Sequence, residues 1–361
     1  MKRGIVVVIV VVAAGLVLLL GILGSGILTP RPTPTYTRAG AIPATAVKMT
    51  PSTDALPPIL LSTEWDTPVP MPGPVNTAGA EDSPFITPDG QRFLFFFTPD
   101  VTVPAEKQLL DHVTGIWTTA LVNGSWAEPT RVTLSTDLAL DGCPFLAGNV
   151  LWFCSARVGN FGSIDMWHAD FTDGVGSNVE NAGAQLNQAY DVGEITLTAD
   201  NQTLYWGGSY GDAASKIYRS DWAGSSAWGT PAEVANVNNV SGATLPFVTP
   251  DGNALWSTAP SSHGYPGPAT YRSLKQGGGW GTPEEVVAQF AGEPTLDSAG
   301  NLYFVHHYFR TNMTMIEADI YVAHPKALGA SSMSALSATL GGTAIRTQVL
   351  SRERWLAPLP G

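Results

Sequence analysis

Acidic residues stand at the entrances of four of five strand-like segments: Glu81 and Asp82, Asp141, Asp191 and Glu194, and Glu293. Carboxylates held about 5–10 Å apart can act as acid and base across a sugar bond. Asp82, Asp141 and Glu194 are the set that could imitate such a layout, although they precede their segments by unequal offsets. The other reading is structural, with loop carboxylates accepting backbone hydrogen bonds from the next unit. Arg157, Tyr210, His263, His306 and Arg310 fall in later loops that would share the same end of the fold. Together with the acidic residues they form the candidate binding face. No metal set is expected. His306 and His307 are adjacent, and neighbouring strand residues point to opposite faces, so they cannot chelate one ion together. No P-loop, nucleophile elbow or zinc signature is present, and no cofactor is expected.

What positions these residues is a repeat. PFITPDG (84–90) returns as PFVTPDG (246–252). Aligned on Pro84, further copies begin at Pro144, Ile195 and Pro294, giving steps of 60, 51, 51 and 48 residues. A period near 50 with strand-like units predicts propeller blades. Each unit holds a short strand, a turn such as Pro88-Asp89-Gly90, an aromatic-rich strand such as Phe93–Phe97, and a third strand. A W-x-x-P motif then announces a fourth strand at Trp126, Trp228 and Trp280, and is degenerate in the second unit. Proline suits an outer strand, which can spare a donor. The fifth unit lacks this motif, while Trp65-Asp66-Thr67-Pro68 stands ahead of the first unit with no unit of its own. Supplying the fifth unit's outer strand from there would leave no exposed edge. The expectation is an all-β, five-bladed β-propeller of four-stranded antiparallel blades over residues 63–324, closed by an N-terminal outer strand. Aromatic residues at equivalent repeat positions read as core rather than as carbohydrate platforms.

These units resemble the PD40 branch of the WD40-like, TolB-like β-propellers. The resemblance rests on the P-x-x-T-PDG turn and the aromatic strand after it. It also rests on Arg157-Val158-Gly159-Asn160-Phe161-Gly162 followed by Asp165-Met166-Trp167, and on Arg310 with Asp319-Ile320-Tyr321. It covers about 260 residues and implies a fold rather than an activity, since such propellers host binding modules, scaffolds and enzymes alike.

The flanks and composition complete the reading. Residues 5–28 carry no charge, long enough for a helix to cross a ~30 Å hydrocarbon core. Lys2 and Arg3 precede this run, so residues 1–28 read as a transmembrane signal anchor that leaves the rest outside the cytoplasm; a long cleaved signal peptide is the alternative. Residues 29–62 read as a Pro/Thr-rich spacer and 325–361 as a flexible tail. A net charge of −12 argues against nucleic-acid binding. A two-residue turn at Gly148-Asn149 would put Cys143 opposite Cys154, compatible with a disulfide in an exported protein; two reduced core thiols are the alternative. The functional expectation is a membrane-anchored, monomeric, extracytoplasmic binding or scaffold module for a protein or cell-envelope glycan, with a glycosidase as the alternative.

Overall fold

Five antiparallel meanders follow one another along the chain in the computed structural model, which describes residues 36–135, 138–188, 191–209, 214–224 and 227–326. Their innermost strands are Ala80–Ile86, Leu140–Ala147, Asp191–Leu197, Thr244–Val248 and Ala291–Leu296. Each pairs with an aromatic-rich second strand and then a third, as in Arg92–Thr98 with Gly115–Val122. The innermost strands touch in sequence, and the last touches the first. All five residues on which the repeat aligns, Pro84, Pro144, Ile195, Pro246 and Pro294, line one small central cavity. The fold is therefore all-β and propeller-like, its units arranged around a channel.

The channel is plugged. Phe85, Phe145, Ile195 and Phe247 close on it, and the space left is about 20 Å³, room for roughly one water. The second strands form the core between meanders, with Phe93, Phe95, Phe153, Trp206, Trp256 and Phe304 almost wholly buried. The W-x-x-P tryptophans lock neighbours together. Trp228 packs edge-on against Trp152 of the preceding meander, Trp280 against Tyr205, and Trp65 against Trp256.

The ring closes as the stray N-terminal motif implies. Val69–Pro70 pairs with Tyr321–Val322, and Trp65 bridges Pro325. A side-chain device repeats at the same place. Asn187 bonds both the amide and the carbonyl of Met166, Asn238 those of Ile217, and Asn76 those of Ile320. In the second and third meanders this asparagine follows the outer strand. Asn76 follows Val69–Pro70, which marks that strand as the outer strand of the fifth meander.

The turns between first and second strands are also built alike. Thr87, Thr198 and Thr249 donate to Asp89, Asp200 and Asp251 at 2.6 Å, and each aspartate accepts the amide two residues on. The outer strand of the second meander, Val175–Asn181, needs no W-x-x-P motif.

Two expectations are corrected. From Tyr36 onward the segment read as a spacer packs on the meanders. Arg38 is 2% exposed and ion-paired to buried Glu81, Lys48 bonds Glu317 and Asp319, and Asp54 bonds His306. Ile59–Leu60 even adds a strand against Val287–Ala288. Beside these ion pairs, Ile42, Met49, Ile59, Leu60 and Leu61 pack against the buried clusters of the meanders. The second correction concerns the disulfide, because both cysteines are free. A β-bulge between Gly142 and Phe145 slips the register so that Cys154 faces Gly142, and Cys143 takes φ 51°. Among the described residues no helix is long and apolar enough to cross a membrane. The apolar run at 5–28 and the tail beyond Lys326 lie outside those residues.

Candidate functional site

Every innermost strand carries a bulge at the same place. The register shifts fall between Asp82 and Phe85, Gly142 and Phe145, Val192 and Ile195, Thr244 and Phe247, and Gly292 and Thr295. Ser83, Cys143, Leu245 and Glu293 all have φ between 46° and 58° there. Such bulges re-aim side chains. Here they gather side chains at the channel mouth, above the apolar plug.

Ser83 is the pivot. Its hydroxyl donates to Glu194 Oε1 at 2.8 Å, and its amide donates to Glu293 Oε2 at 2.7 Å and to Asp82 Oδ1 at 3.1 Å. His307 Nε2 lies 3.7 Å from Asp82 Oδ1. Donor atoms of Asp82, Glu293 and His307 all lie within 4.8 Å of one another. Spacing along the chain shows no such ligand set, because its members come from strands of two meanders. His306 and His307 do point apart, as adjacent strand residues must.

The environments drive the three carboxyls apart. Burial works to raise Asp82, but hydrogen bonding and charge from His307, with a hydrogen bond from Glu293, hold it at about 2. Burial lifts Glu194 to about 7 against the Ser83 hydrogen bond. Burial, then the charges of Asp82 and Glu194, push Glu293 well above the carboxylate range. The Cys143 thiol contacts Cys154 and Glu194, and Cys154 Sγ donates to the Gly193 carbonyl at 3.0 Å.

The remaining expected residues do other work. Glu81 is fully buried under Arg38 and faces no solvent. Asp141 accepts from Arg157 Nη2 and from Ser155 Oγ, both at 2.6 Å, so its charge is committed. Arg157 itself lies over the rings of Phe153 and Trp167. His306 is buried and holds Asp54 at 2.8 Å, so it anchors the N-terminal segment rather than lining a binding face. His263 is exposed and pairs with Glu285, away from the cluster. Arg310 is exposed in a turn closed by its amide to Thr314. Asp191 is placed on its strand, its side chain outside the described residues; Tyr210 is outside them altogether. Of the expected set, the structure brings together Asp82, Glu194 and Glu293. It adds Ser83, Cys143 and His307, which strand-position reasoning passes over.

At the opposite end of the strands, beside the first turns of the second and third meanders, lies a groove of about 670 Å³. Trp152, Trp222, Trp228 and His168 supply its rings, and Asp170 and Glu180 its charges. Trp222 is 38% exposed and packs edge-on against Trp228 at 5.1 Å. Asn178 donates to Asp170 at 2.7 Å and fixes that carboxylate.

No protein-family model matches the chain, and no curated protein matches it. Solved structures with similar coordinates include TolB from Acinetobacter baumannii, 12% identical over 70% of this chain and 56% of that one, TM-score 0.39. The putative TolB from Agrobacterium tumefaciens is 13% identical over 70% of this chain and 92% of that one, TM-score 0.41. An α-L-arabinofuranosidase from Podospora anserina, solved with cellotriose, is 12% identical over 73% of this chain and 97% of that one, TM-score 0.45. This chain spans little more than half of the Acinetobacter protein.

Proposed function

We propose that this protein is a five-bladed β-propeller, anchored by residues 1–28 with its body outside the cytoplasm, that binds a neutral glycan without cleaving it. The observation that carries the reading is the groove between the second and third meanders. Its 670 Å³ falls in the range of small-molecule sites. The partly exposed Trp222 ring offers a face on which the C–H surface of a sugar can stack. Asp170 and Glu180 are placed to accept sugar hydroxyls. Those carboxylates, on a chain of net charge −12, disfavour uronic or sialic acids.

The hydrolase alternative finds less support. Asp141 is neutralised by Arg157. Asp82 and Glu293 are within 4.8 Å of one another, closer than the ~5–5.5 Å of a retaining pair or the wider gap of an inverting one. The space beneath them, about 20 Å³, admits no sugar ring.

The test uses the full chain in detergent on an array of neutral and acidic glycans, with a hydrolysis assay on each hit. The expected result is binding of neutral oligosaccharides, at least tenfold weaker in Trp222→Ala and unchanged in Asp82→Asn. Loss of binding in Asp82→Asn with Trp222→Ala intact would move the site to the channel mouth. Product release would overturn the non-catalytic reading. An array without hits would overturn the glycan and turn the search to protein partners.

A further inference from the structure

We propose that Asp82, Glu293 and His307 hold a divalent cation of the zinc or manganese type at the mouth of the channel. This site is separate from the groove and independent of the glycan reading. The geometry comes first: two carboxylate oxygens and one imidazole nitrogen lie within 4.8 Å of one another, close enough to converge on one ion.

Two buried polar atoms at the cluster have no hydrogen-bond partner. His307 is 7% exposed, and its Nδ1 accepts and donates no hydrogen bond. A buried polar nitrogen in that state carries a cost, and the ring's other nitrogen, Nε2, is the one that faces Asp82 at 3.7 Å. Glu194 Oε2, next to the cluster, is also buried without a partner.

Other buried carboxylates are provided for. Glu81 faces Arg38, Glu317 and Asp319 face Lys48, Glu285 faces His263, and Asp54 faces His306. Asp165 and Asp297 are wrapped by amide donors. Glu293, 6% exposed, meets Asp82 and Glu194 instead. Among the described residues no lysine or arginine pairs with Asp82, Glu194 or Glu293. Asp82 has His307 at 3.7 Å, but the three carboxylates share that one imidazole, and such a surplus of negative charge is the pattern that a bound cation completes.

Donor type sets the class of ion. Mixed carboxylate and imidazole donors suit zinc or manganese, whereas calcium takes six to eight oxygens. Ser83 supplies the supporting layer, since its amide orients both Asp82 and Glu293. Asp82 keeps 26% of its side chain exposed, so the ion's remaining positions would face the mouth and be open to water or a ligand oxygen.

The test is titration of the EDTA-stripped full chain in detergent with ZnCl₂, MnCl₂ and CaCl₂, by calorimetry and thermal melting. One saturable site for zinc or manganese is expected, with a melting temperature that rises with metal and little response to calcium. His307→Gln and Glu293→Gln should each weaken binding at least tenfold, whereas Glu233→Gln, at an exposed ion pair, should not. Cobalt(II) added to the unaltered protein gives a readout that does not depend on a variant folding. Visible bands of a low-symmetry nitrogen–oxygen site are expected, and the spectrum of the aqua ion would overturn the proposal. So would the absence of saturable binding, or affinities unchanged in both site variants.

Discussion

Arg38→Met should be among the most destabilising single changes in the protein, and its effect should depend on pH. Arg38 is 2% exposed, and Glu81, which it pairs at 3.1 Å, is fully buried. Its guanidinium also donates to the carbonyls of Val75 and Pro74 and lies 5.3 Å from the ring centres of Phe95 and Phe97. Removing one partner of a buried pair costs about 3–5 kcal/mol, because the other charge is stranded. Glu81 can escape by taking a proton. Burial already lifts it to about 7 with Arg38 opposing. Without Arg38 it rises further, and since protonation caps the penalty this adds up to about 1.4 kcal/mol at pH 8. At pH 5 Glu81 is protonated in both proteins, so the penalty falls to the lost hydrogen bonds and ring contacts, about 1–3 kcal/mol. Melting of residues 36–326 at pH 8 should drop by roughly 6–20 °C in Arg38→Met. The drop should be smaller at pH 5, and Arg38→Met/Glu81→Gln should recover about 1 kcal/mol of the loss at pH 8. Equal losses at both pH values, or a double variant no better than the single, would refute the reasoning.

Burial holds Glu81 and Glu317 at about 7, above their unfolded values. The stability this gives is complete below about pH 4.5 and lost as pH rises through 7, about 3 kcal/mol per group as an upper bound. Glu285 behaves oppositely. Burial opposes it, but hydrogen bonds from Ser261, Ser262 and His263 hold it at about 2, so its contribution fades as pH falls from about 4.5 towards 2. Thermal melts from pH 3 to 8 should therefore peak near pH 5, and a melting temperature still climbing from pH 5 to 8 would contradict this. Asn76→Ala strands the buried amide of Ile320, whose carbonyl keeps the Met71 amide, and should cost about 1–3 kcal/mol, read as faster hydrogen exchange at the ring closure. Thiol labelling of denatured, unreduced protein should find both Cys143 and Cys154 reactive.

The repeat was legible because its physical demands recur in residue type. Turns need Thr-x-Asp or Gly, second strands need aromatic core, and the W-x-x-P tryptophan must cover the neighbouring strand. Trp65 could be assigned across the chain for that reason. The docked segment at 36–62 was not legible. Its contacts are one-off, from ion pairs such as Lys48 with Glu317, 269 residues apart, to the packing of Ile42 and Met49, and no local pattern announces a pairing at that distance. The direct opposition of Cys143 and Cys154 failed on a single inserted residue, since a bulge changes which residues face each other without changing the alternation around it, although the two free thiols still touch. His307 was passed over because adjacency to His306 is informative only about chelation by the two together. Its partners, Asp82 and Glu293, lie far off in sequence. The aromatic groove was hidden by success elsewhere: Trp152 and Trp228 do serve as core, and only Trp222 departs from that rule.

The channel mouth shows what that hidden bulge is for. Ser83, Cys143, Leu245 and Glu293 sit in left-handed backbone, where a residue other than glycine costs about 1–2 kcal/mol. None of the four is glycine, so the fold bears this strain several times around one channel. Strain retained at equivalent positions points to use of the side chains it aims. Glu293→Gly separates the two quantities. It removes the φ 58° penalty and a buried carboxyl that meets two others. In EDTA at pH 8 the variant should therefore melt higher than the unaltered protein, by at least the equivalent of 1 kcal/mol. In saturating zinc or manganese the order should reverse, because only the unaltered chain gains from the ion. A variant less stable than the parent in EDTA would mean that Glu293 serves the fold itself. The strain would then have no function to explain it.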